Sequence, residues 1–310
     1  MFPRAAARVV AGVVAGGFLV GGCDVGSSQL GAAAIVGSTV IPLERVHDQL
    51  VAVLVREGPQ DRAELAADHQ LGPVSRKILT VRIRQQLAEI AARRAGLTVS
   101  QAQVNREIKE AGGAEAASKG TIFDAKSYRQ QARDNLILIA LGRRVLSNSA
   151  ITVDYTTVDT RTAAEKRVSE LAQDGAARAR QSIDADVRAG KDAELGKRIV
   201  AADDPIFATT PAFGVSVGTV VAFQLADTKP WVVMVVTNRT GRSFQAFAPD
   251  EVGPAVLAAI GLRQLARLGA ELGVRLSPRY GVWDPVNLQV VSDPNETGGF
   301  IAPLRTTPRG

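Results

Sequence analysis

The chain has 310 residues, a formal charge of +6, 46% hydrophobic residues and only 5% aromatics, so its core must be built mainly from Ala, Val, Leu and Ile. Basic residues alternate with acids, as in Glu107-Ile108-Lys109-Glu110, and no basic block or recognition motif stands out, which argues against a nucleic-acid partner. The single cysteine, Cys23, excludes an internal disulfide and any multi-cysteine metal site.

In chain order, Arg4 and Arg8 form a positive n-region, and residues 9–20 form a short apolar h-region without charge. That run is shorter than the roughly 20 apolar residues a spanning helix needs. Leu19-Val20-Gly21-Gly22-Cys23 resembles the lipobox of bacterial lipoproteins. The resemblance implies a signal peptide over residues 1–22 and a lipidated Cys23, carrying a diacylglyceryl group and acyl chains such as palmitate. It places the mature protein on the outer face of the cytoplasmic membrane. Residues 23–33 are small and polar and read as a tether.

Residues 34–43 read as a strand, a tight turn, a second strand and a helix opened by Pro42. Leu43, Val46, Leu50, Val53 and Leu54 then form one apolar stripe that needs cover. Residues 57–72 are polar, and Asp68-His69 lacks a second ligand at metal spacing. A second helix from about Pro73 carries Leu79, Ile83, Leu87 and Ile90 on one face and stops at Gly96. Ser100-Gln101-Ala102-Gln103 fits a capping box for a shorter helix through Val104, Ile108 and Ala111. A long helix over residues 124–146 lines up Tyr128, Ala132, Leu136 and Ile139. Residues 34–148 thus read as a helical module.

The texture changes at Ala150. Residues 151–159 alternate and are β-branched, predicting a strand, and residues 162–171 predict a helix. A polar, Ala- and Arg-rich stretch runs from there to about Val200 without an assigned element. Residues 217–225 and 230–237 predict two strands around the turn Ala226-Asp227-Thr228-Lys229. Together, residues 149–243 read as a small inserted α+β domain. Residues 249–272 return to helix, and 274–276 and 288–291 are strand candidates, so 244–292 form a C-terminal segment. Residues 293–310, rich in Pro, Gly and Thr, are predicted to be disordered.

This order resembles the SurA/PrsA-type extracytoplasmic foldases. Three stretches carry the likeness: the opening Ala34-Ile35-Val36-Gly37 through Leu43, the closing Ser277-Pro278-Arg279-Tyr280-Gly281-Val282-Trp283-Asp284, and Tyr155 through Lys166. The last is similar to the first strand and helix of a parvulin-type prolyl isomerase domain. The resemblance implies an α+β, mainly α fold. In it, a SurA-like helical chaperone module is completed by the C-terminal helix and strand, with a parvulin-like domain inserted.

The departures bear on activity. Parvulins place a histidine on the first strand, where this chain has Tyr155, and another on the last, where Trp231-Val232-Val233-Met234-Val235-Val236 has none. A prolyl isomerase must lower a barrier of about 18–20 kcal/mol by polarising the X–Pro amide in a shaped pocket. With the pocket position degenerate at Tyr155, no catalytic residue is assigned.

Other chemistry tests poorly. Gly214-Val215-Ser216-Val217-Gly218 matches a nucleophile elbow, but Thr219 onward reads as strand and no histidine follows. Asp203-Asp204 before Pro205 fits a turn boundary better than an acid–base pair. Trp231 and Trp283 fit packing roles. The sequence therefore predicts a lipid-anchored chaperone for unfolded secreted polypeptides, with no isomerase catalysis, cofactor, metal or nucleic acid. An active parvulin-type isomerase with an altered pocket and a cell-envelope scaffold or binding lipoprotein are the alternatives. The Arg-, Ala- and Gly-heavy composition is compatible with an actinobacterial source.

Overall fold

The computed structural model describes residues 31–56, 63, 70–241 and 251–305. The signal segment, Cys23 and Asp68-His69 lie outside the described residues. The fold is α+β and mainly helical.

The opening hairpin is β1 (Ala32–Val36) and β2 (Thr39–Pro42), turned at Gly37, whose φ of 60° suits a residue without Cβ. Strand β1 begins inside the segment read as a tether. The stripe on α1 (Leu43–Arg56) packs inward, with Val46 and Val53 buried and Leu43 and Leu50 against the same core. Helix α2 (Leu71–Arg94) runs through the middle of that core, burying Ile78, Leu79, Ile83 and Leu87 completely. Helix α3 (Gln101–Glu110) carries a true capping box: Gln103 N–H donates to Ser100 Oγ at 3.2 Å, and Ser100 N–H to Gln103 Oε1 at 2.8 Å. After the short α4 (Ala114–Ser118), Asp124 and Ser127 cap the long α5 (Ala125–Asn148).

The sheet that follows has five antiparallel strands in the order β10-β5-β6-β3-β4. Its members are β3 (Ala150–Val158), β4 (Ala193–Val200), β5 (Thr219–Gln224), β6 (Trp231–Thr240) and β10 (Gly299–Pro303). Helix α6 (Arg161–Arg188), broken at Gly175, covers one face through Ala164, Val168, Leu171 and Ile183. The unassigned stretch before Val200 is therefore the second half of α6 plus β4. Its apolar positions are mostly alanine, which leaves a weak periodic signal. An ion pair between buried Asp154 and the exposed Arg180 pins α6 to the sheet: Arg180 Nη1 donates to both oxygens of Asp154 at 2.9 Å, and Gly196 N–H donates to Asp154 Oδ1 at 2.6 Å.

Two expectations need correction. The tail from residue 293 is not disordered over its described part, because β10 forms the edge of the sheet beside β5. Phe300 lies 5.9 Å from Trp231, the Arg161 guanidinium stacks over Phe300 at 4.6 Å, and buried Asp284 Oδ2 accepts from Gly298 N–H at 2.9 Å. A short alternating run with three anchors suffices where composition alone suggested none. The sheet is accordingly not confined to residues 149–243.

The return path is α7 (Pro254–Leu272), then β7 (Val274–Leu276), β8 (Val282–Asp284) and β9 (Gln289–Val291). The described helix starts at Pro254, which takes the first-turn position that needs no N–H, while residue 249 lies outside the described residues. Strand β7 pairs with β1 (Ala34↔Leu276), so the opening hairpin and the segment after α7 share a three-stranded sheet.

Helices α5 and α7 touch backbone to backbone. A Cβ on Gly142 would collide with the Leu257 carbonyl, and one on Gly261 with the Leu138 carbonyl. Gly142→Ala should therefore cost on the order of 3 kcal/mol through forced separation of the helices. Gly72→Ala, exposed in the first turn of α2, should be neutral or stabilising by up to about 1 kcal/mol. Urea unfolding of the two variants checks the contrast.

Candidate functional site

Two clefts bear on function, one on the sheet and one in the helical module. The first, of about 440 Å³, lies on the sheet face opposite α6. Its floor holds Tyr155 on β3 and Met234, its directly paired neighbour on β6, together with Val232 and Phe207. Asp192, Lys197 and Asp204 contribute polar groups. Tyr155 Oη donates to Asp192 Oδ1 at 3.3 Å, and Lys197 Nζ lies 5.3 Å from the phenol ring centre. Burial pushes the Tyr155 phenol above its ordinary value against the opposing pull of Lys197. The phenol is thus neutral at physiological pH, with its one proton given to Asp192. Asp204 is occupied in the turn, accepting from Phe207 N–H at 2.8 Å, while His47 sits exposed on α1 and lines no part of this cleft.

The second cleft, of about 560 Å³, opens among α1, α2, α3 and α5. Gln49, Arg82, Gln85, Phe123 and Gln130 line it. Gln49 Nε2 donates to Ile122 O at 3.1 Å, which leaves Gln49 Oε1 buried without a partner; Arg82 Nε is likewise buried and unpartnered. Burial, and then the neighbouring Arg45 charge, lowers the Arg82 pKa. One orphaned acceptor and one orphaned donor under the same wall match the two hydrogen-bonding groups of a peptide unit.

Deeper between α2, α5 and α7, a 200 Å³ cleft lined mainly by Val81, Ala88, Leu138 and Leu262 holds Asp134. Asp134 is 5% exposed; its Oδ1 accepts from Gln130 Nε2 at 2.8 Å, and its Oδ2 has no partner. Burial raises its pKa to about 7.

Tyr155 and the last strand of the insert do meet in one cleft, whereas Cys23 lies outside the described residues. Among those residues, no three His, Cys, Asp or Glu side chains are placed to hold a metal, and no helix is long and apolar enough to cross a membrane. Ser216 is exposed and leads into β5, a strand, so it lacks the strand-to-helix turn of a nucleophile elbow. Gln49, Arg82 and Asp134 escape a reading of the sequence because polar residues on amphipathic helices ordinarily face water. The available signal is faint: Arg82 stands between the apolar Val81 and Ile83 on α2.

Residues 4–138 match the family model of the SurA-like N-terminal domain. The N-terminal module is SurA-like. It spans the opening hairpin, α1 to α4 and the first half of α5, and so contains the cleft of Gln49 and Arg82. Among solved structures, the foldase protein PrsA from Streptococcus pneumoniae str. Canada MDR_19A is 12% identical. That likeness covers 66% of this chain and 86% of that one at a TM-score of 0.22. The foldase protein PrsA from Lactococcus lactis is 11% identical over 79% and 94%, at a TM-score of 0.26. Likenesses this loose carry no argument about the whole chain. No curated protein matches it.

The Asp134 geometry sets a pH dependence for the SurA-like module. Its folded pKa of about 7 lies above the ordinary carboxyl value of 3.8, so the native state binds more protons across that window. Stability contributed by this group therefore falls as pH rises from about 4 to 7 and levels off above. Asp134→Asn removes the penalty and should stabilise at pH 8 by at most about 4 kcal/mol, with the gain shrinking toward pH 4. Urea titrations of parent and variant across that range test it.

Proposed function

We propose that this chain is a lipid-anchored, extracytoplasmic chaperone of the foldase type, which captures unfolded secreted polypeptides without prolyl isomerase catalysis. The observation that carries this reading is the cleft of Gln49 Oε1 and Arg82 Nε inside the SurA-like module. Both atoms belong to residues that line the cleft, and both carry an unmet hydrogen bond. The backbone of an extended client supplies C=O and N–H groups whatever its sequence, so capture is sequence-tolerant. Phe123 and Val104 add apolar contact in the same cleft. Lipidation of Cys23 would hold the module where clients emerge and raise their effective concentration.

The full chain, in several-fold excess, should suppress light scattering from a thermally unfolding client while leaving the isomerisation rate of a proline peptide at its uncatalysed value. The Gln49→Ala/Arg82→Gln double variant should need severalfold more protein for the same suppression. No suppression by the parent chain would sink the reading.

A second reading draws on the sheet cleft. Tyr155 and Met234 sit side by side over an apolar floor, and the neutral phenol would donate to a prolyl amide by giving up its hydrogen bond to Asp192. If the domain is an active isomerase, the parent will exceed the uncatalysed rate and Tyr155→Phe will lose about tenfold or more of the excess. A parent rate equal to the uncatalysed one removes this alternative.

A further inference from the structure

A fourth cleft, of about 560 Å³, lies where the C-terminal parts of α2, α5 and α7 meet the end of β6. Four arginines from four elements line it: Arg94, Arg144, Arg239 and Arg267. The acid in its lining is Glu271, which Arg94 Nη1 already holds at 2.8 and 2.9 Å. Among the described residues, four positive charges against one negative leave the wall at +3.

Two polar groups at this wall are unsatisfied. Arg239 donates through Nη2 to the carbonyls of Val215 at 2.9 Å and Phe213 at 3.2 Å and through Nη1 to Ser149 Oγ at 3.4 Å, yet its Nε is buried with no acceptor. The hydroxyl of the next residue, Thr240, is also buried without a partner. Burial and the adjacent Arg267 charge lower the Arg239 pKa to about 10, a sign that no carboxylate balances it. Arg144 and Arg267 each spend one N–H on a protein acceptor, Ala95 O at 2.6 Å and Gln264 Oε1 at 3.0 Å. Each guanidinium carries five donors.

Like charges gathered with buried, unmet hydrogen bonds cost stability unless an anion completes them. We propose that this cleft binds a phosphate monoester, with Arg144, Arg239 and Arg267 as charged donors and the Thr240 hydroxyl as the neutral one. A carboxylate would cancel one charge of the three, whereas a monoester brings about two. The volume also falls in the range of ligand pockets, roughly 300–1,000 Å³, which leaves room for the esterified group. Planar guanidinium forks suit phosphate oxygens. The inference stands apart from the client-capture reading, since it uses none of the same residues.

Calorimetric titration of the full chain with glycerol 3-phosphate, with dihexanoyl phosphatidic acid below its micelle concentration, and with acetate provides the test. Saturable binding of a phosphate ligand is expected, with acetate about tenfold weaker or worse. Preference for glycerol 3-phosphate assigns a free ester; preference for the short lipid assigns a headgroup. Arg267→Gln should weaken binding by about tenfold and Thr240→Val by about threefold. Arg188→Gln, on the exposed surface of α6, should leave it unchanged while altering net charge equally. If neither phosphate ligand binds, or if Arg188→Gln weakens binding as much as Arg267→Gln, the proposal fails. Thermal unfolding of each variant without ligand separates loss of the site from loss of the fold.

Discussion

The backbone contact between α5 and α7 is the constraint on which the rest of the structure depends. Gly142 and Gly261 let the two helices approach until each glycine meets a carbonyl of the other helix. That closeness lets each helix serve two cores at once. Ile137 and Leu141 face the core of the helical module with Leu265 and Leu268, while Ile139, Val145 and Leu146 face the sheet with Leu257 and Ile260. The chain leaves for the sheet at the end of α5 and returns at the start of α7. Their contact therefore closes the excursion and delivers β7 to the edge of β1. Widen the seam by one methyl group and both cores lose their shared wall.

The buried charges sort into two kinds, and the difference is hydrogen-bond satisfaction. Asp154 has Arg180 and Gly196 N–H, and Asp284 accepts from Val286, Asn287 and Gly298 N–H groups. These carboxylates hold elements together and are complete as they stand. Asp134 Oδ2, Arg82 Nε, Gln49 Oε1, Arg239 Nε and Thr240 Oγ1 are incomplete, and each belongs to a residue lining a cleft. A fold tolerates such deficits at a stability cost, and natural chains concentrate them where something binds. The clefts with Gln49 and Arg239 are separate, so peptide capture and anion binding need not compete.

Local chemistry was legible where one element's neighbours are close in sequence. The capping box at Ser100 and Gln103, the inward stripe of α1 and the strand at Ala150–Val158 all rest on spacing within a single element. The second half of α6 was not legible, because alanine supplies its inward face and Gly175 interrupts the period. The tail strand β10 was hidden by composition, since its pairing with β5 and the stacking of Phe300 on Trp231 rest on residues far from it in the chain.

The sequence by itself determined the helices of the N-terminal module and the α+β mixture. These follow from periodicity, capping and residue identity, which are one-dimensional properties. Tertiary structure alone decided that Gly142 and Gly261 form a seam, that a terminal strand finishes the sheet, and that Gln49, Arg82, Asp134 and Arg239 end up under cleft walls. Each depends on shape and charge brought together from distant segments. A polar residue on an amphipathic helix carries no local mark of whether water or another helix will face it.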